Sequence, residues 1–158
     1  MDSTKRILLN TVVQYSRSVL NILLSLFSTR YILQALGNSD YGVFVLVGGI
    51  VSMLGFVTNA LVITTQRYIS YYWGKKKVYT VKKIFANSLF VHASVSLLLL
   101  VILFMVRDVV VYNFLNIPVD RIVAACKTYD ITVFLLVVTI MSAPYKALFI
   151  AHENITYI

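Results

Sequence analysis

ILLNTVVQYSRSVLNILLSLFSTRYILQAL, residues 7–36, decides how the rest of the chain is read. It has the composition of one long apolar helix, yet Arg17 lies near its middle. At 100° per residue, Asn10, Gln14, Arg17, Asn21, Ser25 and Ser28 fall within about 80° of one another. The remaining positions are mostly Leu, Ile, Val, Phe and Tyr. A soluble amphipathic helix carries a wide polar face. A narrow polar stripe on an apolar cylinder suits a helix with lipid around most of it and a wet or protein-lined groove on one side.

Composition supports the same environment. Hydrophobic residues make up 59% of the 158 residues and charged residues only 13%, against about 25% in soluble domains. The mean hydropathy is +0.84. Such a chain is expected to be an integral membrane protein. The net charge of +8 is then a topology signal beside membrane spans rather than a nucleic-acid footprint. The lone Cys126 excludes an internal disulfide and a cysteine-based metal site. Arg17 interrupts the first apolar run and no small-residue cleavage site follows it, so no cleaved signal peptide is expected. No metal-spaced His or carboxylate cluster, phosphate loop or nucleophile with a base partner is present, so neither an enzyme nor a cofactor is expected.

Four spans are expected in one transmembrane domain covering residues 1–158, an all-α polytopic membrane helix bundle. They lie at about 7–36, 41–66, 84–106 and 122–150. Gly37 is a natural residue to follow a helix end, and Asn38, Ser39 and Asp40 offer caps for the next helix, so spans one and two are expected to form a tight antiparallel hairpin. No charge interrupts residues 41–66. Gly48, Ser52, Gly55, Asn59 and Gln66 share a face of this span, where small residues permit close helix approach and amides can bond across it. Arg67, Tyr68, Tyr71, Tyr72 and Trp73 lead into Lys75–Lys77, Lys82 and Lys83, an arrangement suited to the headgroup level and to anionic lipid. Span three carries Ser88, His92 and Ser96 on one face, and a lone His bonded to one of these serines is the simplest reading. In span four, Thr128, Thr132, Thr139, Ser142 and Lys146 form a second polar stripe, and Pro144 is expected to kink or end the helix. The N-terminus, the 67–83 segment and Lys146 hold nine of the fourteen basic residues. The positive-inside rule therefore places both ends of the chain on the cytoplasmic side.

Several runs resemble bacterial polysaccharide flippases. They are Thr29-Arg30-Tyr31-Ile32-Leu33-Gln34-Ala35-Leu36-Gly37 with Asp40-Tyr41-Gly42, Val47-Gly48-Gly49-Ile50, Asn59-Ala60-Leu61, Thr65-Gln66-Arg67-Tyr68-Ile69-Ser70, and Ala143-Pro144-Tyr145 with Ala151-His152-Glu153. The chain is similar over nearly its whole length to the O-antigen and capsule exporters (Wzx-type) of the multidrug/oligosaccharidyl-lipid/polysaccharide (MOP) exporter superfamily. That resemblance implies a bacterial inner-membrane protein that moves a lipid-linked oligosaccharide on an undecaprenyl pyrophosphate-type anchor, with alternating access between two bundles. It further implies that this chain is an N-terminal fragment whose partner, a C-terminal bundle, lies outside it. Surface polysaccharide synthesis, including the O-antigen of lipopolysaccharide, would be the process served.

Under that implication Arg17, Gln14, Asn21, Asn59 and Gln66 are candidate cavity residues. A guanidinium can fork two phosphate oxygens. Arg17 can equally hold a bundle-internal salt bridge or carbonyl bonds, and Gln14 and Asn21 can glue helices together. Arg30 lies on the opposite face and reads as an interfacial residue or a partner of Asp40. Asp130 is a coupling residue or half of a structural pair with Lys127, three residues away. Two other functions stand beside the flippase: a drug/cation antiporter of the same superfamily, and a four-span scaffold that transports nothing. An antiporter would place carboxylates in its cavity. In a scaffold the polar stripes would close against one another.

Overall fold

The computed structural model describes residues 3–115 and 117–151, with side chains described from Leu8 onward. His152 and Glu153, and the side chains of Lys5 and Arg6, lie outside the described residues. The described chain is all-α. Helix α1 spans Ser3–Met53, α2 Gly55–Gly74, α3 Val78–Asp108 and α4 Ile122–Ala151, with a π-helical turn over Val109–Phe114 and a 3-10 turn over Val119–Arg121. Among the described residues, three helical stretches are long and apolar enough to cross a membrane: Leu8–Gly74, Val78–Phe114 and Val119–Ala151.

The break expected at Gly37 is present, but the antiparallel packing expected of spans one and two is not. Two helices meet at a single non-helical residue, Gly37, at φ 75° and ψ 172°, and residues 38–40 open the second of them. The left-handed φ is open to glycine at little steric expense. Gly37 divides α1 into an N-terminal arm, residues 3–36, and a second limb, residues 38–53. None of residues 8–39 is buried, so the arm does not pack against residues 41–66 as an antiparallel neighbour. The boundary between α1 and α2 is milder. Leu54 N–H donates to the Val51 carbonyl at 3.1 Å and Val57 N–H to the Leu54 carbonyl at 3.0 Å, one tightened turn of i→i−3 bonding. The second limb and α2 therefore act as one membrane-length element.

That element, α3 and α4 form the bundle. Asp40 meets Arg121 at one end, and Val62 packs with Ala143 and Ala147 further along, so the 38–74 element and α4 run parallel. Tyr129 Oη donates to the Leu103 carbonyl at 3.0 Å, and Phe85 meets Tyr145 edge-on with ring centroids 5.3 Å apart. Helix α3 is thus antiparallel to α4. The core consists largely of small and β-branched side chains, with Val47, Ala125, Val133, Ile140 and Ala147 fully buried. Such residues let helices approach closely where apolar surroundings provide no hydrophobic drive. Leu97, Leu98, Phe90 and Met105 face outward, as lipid-exposed positions do.

Two further expectations change. Helix α2 runs through the aromatic and basic stretch to Gly74 rather than ending at Gln66. Helix α3 spans Val78–Asp108 and continues into the π-helical turn, with buried Val111, rather than ending near residue 106. Helix α4 runs to Ala151, within one residue of the expected limit, with Pro144 inside the helix and buried in the bundle.

Candidate functional site

Polar side chains inside the bundle fall into three groups. The first sits at the end where α3 finishes and α4 begins. Arg121 contacts Asp40 at 2.9 Å and Asp120 at 3.3 Å. Arg107 contacts Asp130 at 3.4 Å and Asp108 at 3.5 Å. Asp130 is therefore paired across helices with Arg107 instead of along its own helix with Lys127, whose side chain is exposed. The antiparallel α3 brings a guanidinium to Asp130 from the facing helix, whereas the i,i+3 lysine turns outward. Asp40 likewise belongs to Arg121 instead of Arg30.

The second group lines a cleft between the 38–74 element and α4. Its volume is about 340 Å³ and its walls include Ser52, Thr58, Asn59, Thr132, Thr139 and Lys146. The tightened turn at Leu54 and the adjacent Gly55 open the wall at this level. Three hydroxyls in the cleft spend their protons on their own helices: Ser52 on the Gly49 carbonyl, Thr132 on Thr128 and Thr139 on Leu135, at 2.8, 2.7 and 2.8 Å. The buried Thr58 Oγ1 has no partner. The free donors are thus the Thr58 hydroxyl, the Asn59 amide and the Lys146 ammonium. Lys146 is the one ionised residue among those lining this cleft.

The third group lies on the other side of α2, facing α3. Thr65 Oγ1 and Ser88 Oγ are 2.9 Å apart, and His92 Nδ1 is 2.7 Å from the Ser88 carbonyl. That last distance requires Nδ1 to carry a proton and donate it. His92 Nε2 is buried without a partner. The three residues form one wall of a cleft of about 320 Å³.

The sequence candidates are divided by this arrangement. Gln14, Arg17 and Asn21 stand exposed on the arm, and among the described residues no carboxylate forms a salt bridge with Arg17. Asn59 lies in the Lys146 cleft, while Gln66 is half-buried on α2. The arm residues and Asn59 are not brought into one site. Thr58 and Thr65 were missed as polar positions, and Lys146 was read only as part of a stripe. The stripe spacing from Thr132 to Lys146 held the signal, but the partner helix it faces depends on the parallel packing of α2 and α4.

The chain matches no protein-family model, no curated protein and no solved structure.

Proposed function

We propose that this chain is the N-terminal part of a bacterial inner-membrane transporter that moves an anionic, lipid-linked oligosaccharide, a flippase of the polysaccharide-exporter type. The observation that carries this reading is the donor-rich Lys146 cleft, whose described lining residues include one cation and no carboxylate. An ammonium, an amide and a free hydroxyl in apolar surroundings favour a ligand with phosphate or dense hydroxyl groups. The resemblance of residues 29–70 and 143–151 to polysaccharide flippases points to the same class of substrate.

The arm is the first of four crossings in this reading, and Gly37 is where the chain turns between crossings one and two. The end with Arg67, Lys75–Lys77, Lys82, Lys83 and Lys146 faces the cytoplasm. At the opposite end Arg107 and Arg121 are each offset by aspartates. The polar stripe around Arg17 would face a second bundle across the transport path. A cation antiporter is less well supported, because Asp40 and Asp130 are both tied to arginines. A self-contained scaffold is also less well supported, because the arm's stripe does not close against the bundle.

Surface polysaccharide made in cells that depend on the full-length transporter tests this. Lys146→Gln and Arg17→Ala are each expected to lower it about tenfold, the loss of one charged hydrogen bond to an anion, with unchanged membrane levels of the protein. Arg17→Lys is expected to rescue part of the loss. Normal export by both the Lys146→Gln and Arg17→Ala variants would overturn the reading.

A further inference from the structure

The cleft walled by Thr65, Ser88 and His92 does not stand alone. A larger cleft of about 480 Å³, lined by Ile63, Thr64, Arg67, Tyr68, Tyr71 and Tyr72, shares Thr64 and Tyr68 with it. Together they form one groove along α2 that begins among the basic and aromatic residues and runs into the apolar depth between α2 and α3. We propose that this groove binds one anionic phospholipid, with its phosphate at Arg67 and its acyl-chain ester region against Thr65 and Ser88.

Charge selects the headgroup. Residues 67–83 hold six basic side chains, and no acidic residue occurs anywhere from Tyr41 to Val106. Arg67 is the charged residue among the described residues lining the groove itself; its planar fork fits a phosphate, and its charge beside that phosphate disfavours a headgroup that carries its own ammonium. Tyr71 is fixed beside it. Lys75 donates to the Tyr71 hydroxyl and holds its Nζ 4.2 Å from the ring centroid, while Tyr72 packs edge-on against Tyr71 at 5.1 Å. The rim of the groove is therefore shaped before a ligand arrives, which reduces the ordering that binding requires.

Depth selects a lipid over a free anion. Thr65 precedes Arg67 by two residues, roughly 3 Å of helix rise and about 160° around the helix, so the groove turns over the shared Thr64 and Tyr68 from the Arg67 rim to the α3 side. Hydrogen-bond accounting along the wall leaves a specific group unspent. Nδ1 of His92 donates to the Ser88 carbonyl and, at 3.2 Å, also faces Ser88 Oγ. The two hydroxyls of Thr65 and Ser88 use one proton between them, so one O–H remains to donate. A phospholipid ester carbonyl below the phosphate accepts such a donor. The apolar walls beyond, Leu61, Ile84 and Val91, receive the acyl chain. A free phosphate would fill the rim and leave the rest of the groove empty.

Native mass spectrometry of the full chain purified in detergent, titrated with phosphatidylglycerol, phosphatidylcholine or glycerol phosphate, tests the site. Phosphatidylglycerol is expected to stay bound at least tenfold better than phosphatidylcholine, and glycerol phosphate not to compete. Arg67→Gln should abolish that preference. Thr65→Val with Ser88→Ala should weaken phosphatidylglycerol binding several-fold while keeping the preference. Lys146→Gln should leave both unchanged, which separates this site from the substrate cleft proposed above. An unchanged preference in Arg67→Gln overturns the proposal. So does a preference lost only when Lys75, Lys76 and Lys77 are neutralised together, which means diffuse surface attraction. Competition by glycerol phosphate at equal concentration also overturns it, by identifying an anion site without a lipid.

Discussion

The two limbs of α1 are both apolar and unlike in packing. The arm, residues 3–36, buries none of its described side chains, whereas the second limb, residues 38–53, places Val43, Val47 and Val51 in the bundle core. The contrast separates two properties that hydropathy merges. Apolar composition makes a helix compatible with lipid. Association needs small or β-branched residues in register with a partner, and polar groups whose bonds the partner completes. The second limb has Val43, Val47 and Val51 at four-residue intervals, with Gly48 beside them. The arm presents Leu, Ile, Phe and Tyr at the corresponding positions, and its polar stripe finds no counterpart on the bundle.

Matched truncations on the two regions should break this contrast if it is wrong. Tyr129 is 1% exposed and donates to the Leu103 carbonyl, while Tyr15 on the arm is 71% exposed. Tyr129→Ala is expected to destabilise the purified protein by about 3 kcal/mol, the lower end for a buried aromatic, because apolar surroundings reduce the transfer component and leave the packing loss. Tyr15→Ala is expected to stay within about 0.5 kcal/mol. Thermal unfolding in detergent, followed by circular dichroism and tryptophan fluorescence from Trp73, reads both. Equal losses would mean that the arm is packed in solution. A second substitution sharpens the point from the opposite direction. Ala147 is fully buried beside Val62, and Ala147→Leu should destabilise by roughly 1–3 kcal/mol through overpacking.

Much of the bundle was legible in the sequence. An uninterrupted apolar run located α3, and a run broken by Lys127, Asp130 and Lys146 located α4, whose expected end lies within one residue of its observed limit. The polar face of α3 was visible from the spacing of Ser88, His92 and Ser96. The failures share a physical cause. Spacing fixes which residues lie on one face but not which helix that face meets. Spacing therefore offers Asp130 no pairing partner but its sequence neighbour Lys127, whereas the antiparallel helix brings Arg107 to it. The resemblance groups Asn59 with Arg17, and the bend at Gly37 puts them on different limbs of the chain. The break at Gly37 was legible, but the packing of the first limb was not, since a glycine between two apolar runs does not say which surface the first run meets.

Gly37 offers the next test of the division. A Cβ added there meets nothing within 4 Å, so the strain of the positive φ is the only obstacle. Gly37→Ala should disfavour the bend by about 1–2 kcal/mol. With Cys126 replaced and spin labels placed at Val19 and Phe56, electron–electron resonance should show the inter-label distance distribution shift in Gly37→Ala. An unchanged distribution would mean that the bend is held by something other than the glycine backbone.

The smallest effect is expected at the junction between the two limbs. Asp40 lies three residues beyond Gly37, and its contact with Arg121 at 2.9 Å ties the start of the second limb to the start of α4. Both side chains are partly exposed, at 29% and 40%, so the pair contributes no more than about 1 kcal/mol. Asp40 Oδ1 is nevertheless buried without a partner, which offsets part of the gain. Asp40→Asn should therefore lower stability by less than about 1 kcal/mol, and added salt should shrink the difference further. The double variant with Arg121→Gln should lose less than the sum of the singles if the two residues act as a pair. A loss as large as that of Tyr129→Ala would instead make this ion pair, rather than the small-residue core, the feature that distinguishes the second limb from the arm.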